Sequence, residues 1–154
     1  MLKSAEKRLL RDFKKIQQEK SKMYAVAIDG DNIMKWNAVI FGPEGTDWEG
    51  GVFKLTFEFT SDYPQLPPTV KFVTIPFHPN VYQNGNICID ILQHNWSQAY
   101  DVSAILTTII ALLVDPNPNS PANNEAAEMY TRRRAEYSRM ARQCVEATWT
   151  SSAQ

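Results

Sequence analysis

Residues 51–60 read GVFKLTFEFT, in which Val52, Lys54, Thr56 and Glu58 alternate with Phe53, Leu55, Phe57 and Phe59. A strict period of two puts one set on each face of a β-strand, so the aromatic set predicts burial on one side only. Such a strand belongs to an antiparallel sheet with one covered and one open face. The neighbouring segments supply its partners. MYAVAIDGDN, residues 23–32, carries the hairpin signal Asp29-Gly30. IMKWNAVIFGPEG, residues 33–45, reads as a second strand stopped at Gly42-Pro43. SDYPQLPP, residues 61–68, breaks the pattern with three prolines, and TVKFVTI, residues 69–75, reads as a short fourth strand.

On either side of this meander the period changes to that of a helix. Leu2, Leu9, Phe13 and Ile16 predict an amphipathic helix over residues 2–18. DVSAILTTIIALL, residues 101–113, opens on Asp101, a good N-cap, and is apolar on most sides, as a buried helix would be. DPNPNSP, residues 115–121, ends it. Ser120-Pro121 predicts an N-cap and first-turn proline for a helix over ANNEAAEMY, residues 122–130. A last amphipathic helix is expected over residues 132–149, with Tyr137, Met140, Ala141, Cys144 and Val145 inward. The order predicts an α+β fold: an N-terminal helix, a four-stranded antiparallel meander, a central helix and two C-terminal helices. One domain is expected over residues 1–154, without a sizeable extension at either end.

The totals narrow the classes. The longest apolar run, AILTTIIALLV at 104–114, is far short of the roughly 20 residues that cross a bilayer. The charged start, MLKSAEKRLLRDFKK, has no secretory core. Two cysteines 56 residues apart make no disulfide framework, which points to a reducing compartment, cytoplasmic and nuclear. Net charge is −1, but its sign is segregated. Residues 1–35 carry nine Lys/Arg against five acids, and residues 36–131 carry two against ten. A basic N-terminal helix suits solvation or an acidic protein partner. Nucleic acid is not expected as a direct partner, because the basic segments lack interleaved aromatics and the pI is about 6.1, nor is a membrane, given the short apolar run.

The chemistry centres on FHPNVYQNGNICIDIL, residues 77–92. In an extended segment Ile87, Ile89 and Ile91 share one face while Cys88 and Asp90 share the other, so anchored isoleucines turn the thiol outward. A buried structural cysteine is the alternative. Cys144, on an amphipathic helix, reads as a small buried hydrophobe. A cysteine hydrolase needs a basic imidazole beside the thiol, and only His78 and His94 are available. Positions 78, 88, 94 and 144 do not have zinc-site spacing. Thioester carriage needs less: an accessible thiol and some oxyanion stabilisation, which an asparagine amide can supply.

The run HPN at 78–80 followed by NGNICIDIL resembles the signature of ubiquitin-conjugating enzymes. YPQLPP at 63–68, WNAVIFGPEGT at 36–46, Trp96 and DPNPNSPAN at 115–123 fall in that family's order and spacing, so the likeness spans essentially the whole chain. NIMKWNAVIFGPEGT, FHPNVY and YDVSAILT further resemble the branch acting in DNA-damage tolerance and histone monoubiquitylation.

The resemblance implies the family fold and a cycle without cofactor or metal. Cys88 would take ubiquitin from an activating enzyme as a thioester and pass it to a substrate lysine brought by a ligase, most simply of ring-finger type. Asn80 would stabilise the oxyanion or hold the loop shaping the site, with His78 and Pro79 structuring that loop. Tyr82, Asp90 and Ser120 would line the channel for the acceptor lysine. Ser120 stands where the family often has an acid, and its phosphorylation would restore negative charge. Lys3, Lys7, Arg8 and Arg11 match the surface met by activating enzyme and ligase. Gln65, Leu66, Trp96, Ser97, Gln98 and Ala99 complete the ligase face. Gln98 replaces a usual proline and Gln65 a frequent aromatic, and residues 19–23 lack paired prolines. The resemblance also implies a cis Tyr63–Pro64 bond. The alternatives are a non-catalytic adaptor of the same fold, against which Cys88 speaks, and a carrier of another ubiquitin-like modifier.

Overall fold

A computed structural model describes residues 1–151. Helix α1 (Ser4–Glu19) precedes strands β1 (Tyr24–Asp29), β2 (Asn32–Phe41), β3 (Val52–Glu58) and β4 (Thr69–Phe72). Helices α2 (Val102–Val114), α3 (Asn124–Arg132) and α4 (Arg134–Ser151) follow. The sheet is an antiparallel meander in the order β1-β2-β3-β4. The expected α+β architecture is therefore the one observed.

Alternation in β3 does what its sequence dictates. Phe53, Leu55 and Phe57 are buried, while Lys54 and Glu58 are exposed on the open face. The inner face gathers Trp36, Ile40 and Phe53 with α1 Leu9 and α2 Ile105, Leu106 and Ile109 into one core. Phe13 of α1 meets Trp36 edge to face at 5.2 Å between ring centroids, a favoured aromatic geometry. Asp101 caps α2 by accepting from Ala104 N–H at 2.9 Å. Among the described residues no helix is long and apolar enough to cross a membrane.

Several boundaries differ from expectation. α1 begins at Ser4, with Leu2 outside it and exposed; Lys3 N–H donates to the Glu6 carboxylate, which fixes the start two residues later. β4 ends at Phe72 rather than residue 75, because the amides of Val73 and Thr74 both turn to one acceptor, the Lys54 carbonyl. The third helix does not start on Ser120-Pro121. Asn123 is its cap, accepting from Ala126 N–H at 3.0 Å, while the Ala122 and Asn123 amides are held by the Pro79 carbonyl. That tie keeps residues 121–123 out of the helix.

One core hydroxyl stands out. Tyr137 is 2 % exposed, and its Oη is the only buried side-chain polar atom among the described residues without a hydrogen-bond partner. Its ring packs against Trp48, Phe77 and Tyr130. Tyr137→Phe keeps the ring and deletes the unpaired group. Thermal unfolding should show a Tm unchanged or raised by about 2–4 °C, corresponding to about 1 kcal/mol.

Candidate active site

The loop carrying Cys88 has little regular structure, so its backbone groups need individual partners. Tyr82 and Gly85 close a tight turn, Gly85 N–H donating to the Tyr82 carbonyl at 2.9 Å and Tyr82 N–H to the Asn86 carbonyl at 2.9 Å. Gly85 has φ +93°, and a Cβ there would fall 2.1 Å from the Phe72 carbonyl oxygen. Only glycine lets this turn lie against β4, where the Gly85 carbonyl accepts Phe72 N–H at 2.9 Å.

Residues 78–80 anchor the rest. His78 is fully buried; its Nδ1 accepts Asn80 N–H at 3.0 Å, which leaves the proton on Nε2 to donate to the Leu112 carbonyl at 2.8 Å. Pro79 contributes its carbonyl, to Ala122 N–H at 2.8 Å and Asn123 N–H at 3.1 Å. Asn80 is 1 % exposed, and both ends of its amide engage Asn117: Nδ2 donates to the carbonyl at 2.7 Å and Oδ1 accepts the N–H at 2.8 Å. The Asn80 carbonyl takes Cys88 N–H at 2.8 Å. Three consecutive residues thus tie the cysteine loop to the end of α2 and to the 115–123 loop.

Between these loops lies Cys88, half-buried, with Sγ 3.9 Å from the Ser120 carbonyl oxygen. Ile87 and Ile89 are buried on either side, as the alternation requires. The alternation stops there: Asp90–Leu92 form one 3-10 turn, and Ile91 is only partly buried. Tyr82, Asp90 and Ser120 are all exposed around the thiol's loops. Tyr82 separates two open depressions of about 450 and 300 Å³, one reaching Asn123 and Asn124, the other Pro68 and Gln93.

Neither histidine is hydrogen-bonded to Cys88 Sγ. His78 is spent on Leu112 and Asn80, and burial pushes its pKa down to about 4, so it is a neutral structural group. His94 is exposed, with Nε2 3.8 Å from an Asp90 carboxylate oxygen. Cys144 is half-buried on α4, and burial raises its thiol pKa. Among the described residues no three His, Cys, Asp or Glu side chains are grouped to hold a metal ion.

Lys3, Lys7 and Arg11 are exposed on α1, and Gln65, Leu66, Gln98 and Ala99 are exposed on two nearby loops. Trp96 and Ser97 are half-buried, with Trp96 Nε1 donating to the Pro64 carbonyl at 2.8 Å. The Tyr63–Pro64 bond is cis. Arg8, grouped with the partner-facing cations by sequence, is instead folded inward against Asp12, because a buried carboxylate needs a cation. Sequence reasoning missed Asn117, Asn123 and the Leu112 carbonyl as anchors. Two of the three act through backbone groups, which carry no residue-specific signal, whereas Asn123 had a readable one as an N-cap type.

The fold, the asparagine-held loops and the half-exposed cysteine define a ubiquitin-conjugating domain, and the family model described as ubiquitin-conjugating enzyme matches residues 8–145. The chain belongs to this family and is a transferase of ubiquitin conjugation. Over 143 residues it is 54% identical to "Ubiquitin-conjugating enzyme E2 1" of Caenorhabditis elegans, covering 93% of this chain and 74% of the relative. Over 145 residues it is 53% identical to "Ubiquitin-conjugating enzyme E2 3" of Arabidopsis thaliana, covering 94% and 97% respectively.

The buried neutral His78 sets a pH dependence. The unfolded chain takes up this proton near pH 6.5, the fold only near pH 4, so acidification through that window favours unfolding. Stability from this group is complete above pH 6.5 and falls by roughly 3 kcal/mol on reaching pH 4. Urea unfolding at pH 7 and pH 4.5 should show the loss in wild type and a flatter dependence in His78→Gln.

Proposed function

We propose that Cys88 Sγ carries ubiquitin as a thioester, taken from an activating enzyme and passed to a substrate lysine with a ring-finger ligase. The observation that carries this is the half-exposed thiol at the junction of two loops locked by His78, Pro79 and Asn80. In the first step the Cys88 thiolate attacks the carbonyl carbon of ubiquitin's C-terminal thioester, and the activating enzyme's thiolate leaves. In the second, a neutral lysine amine attacks the same carbon, an isopeptide bond forms, the Cys88 thiolate leaves and the amine's proton goes to solvent. One thioester replaces another in the first step, so no strong base is required, consistent with the absence, among the described residues, of an imidazole bonded to the thiol.

Asn80 serves this cycle as a positioning residue. Its amide is consumed by Asn117, so it fixes the 115–123 loop and with it the Ser120 carbonyl over the thiol. Tyr82, Asp90 and Ser120 frame the approach of the acceptor lysine, with Asp90 supplying negative charge. Lys3, Lys7 and Arg11 face the activating enzyme, and Leu66, 54 % exposed, is the apolar anchor of a ligase surface shared with Gln65, Trp96, Ser97, Gln98 and Ala99. The resemblance of residues 32–46, 77–82 and 100–107 to the DNA-damage-tolerance branch supports histones and replication clamps as substrates, and a cytoplasmic and nuclear location.

Incubation with activating enzyme, ATP and a panel of ubiquitin-like modifiers tests the reading on non-reducing gels. Wild type should form a ubiquitin adduct removed by dithiothreitol, and Cys88→Ser an adduct that resists it and yields to hydroxide. Charging with a different modifier alone, or wild-type charging that survives reductant, overturns it. Asn80→Ala should lower stability by about 1–3 kcal/mol and speed amide exchange at Asn117, Ala122 and Asn123; unchanged exchange at these sites removes the positioning role.

A further inference from the structure

Of the four basic residues at the head of α1, Arg8 alone turns inward, its side chain 13% exposed. Nε lies 3.0 Å from each oxygen of Asp12, Nη1 donates to the Gln98 carbonyl at 2.9 Å and Nη2 to the Tyr100 carbonyl at 2.7 Å. The guanidinium carbon stands 5.5 Å from the centre of the Tyr63 ring. Asp12 is 4% exposed and also accepts the Tyr63 hydroxyl at 2.8 Å. Arg8 therefore joins three segments distant in sequence: α1, the proline turn at 63–68 and the loop at 96–100.

That loop has little else to hold its middle. Trp96 fixes its start through Pro64, and the remaining bonds are local, Ala99 N–H to Ser97 Oγ and Tyr100 N–H to the Ser97 carbonyl. Gln98 and Ala99 between them are exposed. A planar guanidinium can donate to a carboxylate on one edge and to two carbonyls on the other, which an ammonium on a flexible stem cannot do in a fixed geometry. A loop ordered before its partner arrives loses less entropy on binding.

We infer that Arg8 is the positioning residue of the ligase surface: its guanidinium holds Gln98 and Ala99 in register with Gln65 and Leu66, and does not itself dock a partner. This rests on the assignment of those four residues to the ligase. Lys3, Lys7 and Arg11 stay exposed to steer partners by charge, Arg11 with its Nε 3.9 Å from an Asp12 oxygen, so one helix carries both a docking face and an internal brace.

The test uses a purified ring-finger domain chosen because it accelerates ubiquitin discharge from wild-type Cys88 to free lysine. In Arg8→Lys the half-saturating concentration of that domain should rise about tenfold, equivalent to about 1.4 kcal/mol. Its saturated rate, ligase-free discharge and charging by the activating enzyme should stay as in wild type, while Tyr100 amide exchange quickens. Tyr63→Phe removes a bond to Asp12 but spares both loop carbonyls; it should lower Tm and keep wild-type half-saturation, which separates positioning from general destabilisation. Leu66→Asp should raise half-saturation by itself. Unchanged half-saturation in Arg8→Lys beside an impaired Leu66→Asp overturns the inference and leaves the ligase surface standing. An unaffected Leu66→Asp overturns the ligase surface and the inference together. Charging that falls in step with ligase response makes Arg8 a docking residue, against the inference. A further readout needs no variant: in free wild type the Arg8 Nε–H should exchange more slowly than that of Arg11, and equal rates overturn the brace.

Discussion

Three side-by-side residues, His78, Pro79 and Asn80, solve a problem set by the loops around Cys88. Irregular backbone packed near a core must have its N–H and C=O groups paired. Here one imidazole, two main-chain carbonyls and one carboxamide do that for the end of α2, the 115–123 loop and the cysteine loop together. Each needs its own chemistry. Histidine has two ring nitrogens that can act oppositely, proline leaves its carbonyl uncommitted within the turn, and asparagine offers a donor and an acceptor on one rigid plane. Glutamine would push that plane outward by a methylene, and aspartate would place a charge in a buried site that supplies an acceptor carbonyl.

The sheet provides a different kind of support. The inner face of β2 and β3, with Trp36, Ile40, Phe53 and Phe57, meets α1 and α2 in a dense apolar layer. The site does not lie in this layer but beyond its edge, where β4 stops and Gly85 presses against Phe72. A rigid platform with a hydrogen-bonded fringe allows the thiol to be half open without loosening the core. The Arg8–Asp12–Tyr63 cluster repeats this scheme on another side, again using buried polar groups where apolar packing ends.

What was legible in the sequence follows from range. Period-two alternation in residues 52–59, the Asp29-Gly30 turn and the Asp101 cap are local signals, and each specifies its element directly. The outward thiol was readable from Ile87 and Ile89 because two residues of strand suffice for it. Ser120-Pro121 misled because its local pattern is a good helix start, yet the Pro79 carbonyl, some forty positions away, takes the amides that would begin that helix. Arg8 departs from its sequence neighbours for a similar reason. On a helical wheel it belongs with Lys7 and Arg11, and only the folded positions of Gln98 and Tyr100 draw it inward. Hydrogen bonds made to carbonyls leave no trace in composition, so the interior half of the site was legible only through the family likeness.

The Cys88 thiol donates to a main-chain oxygen, that of Ser120. Every amino acid carries this atom, so the contact itself does not depend on the identity of residue 120. In the proposed cycle, exchange of the serine for an acid, an amide or a phosphorylated form would redraw the outer wall met by incoming lysines, while the oxygen facing the thiol stays where Asn80 and Asn117 hold it. On that proposal, substrate preference would drift at this position across generations with the acyl-carrying step left untouched.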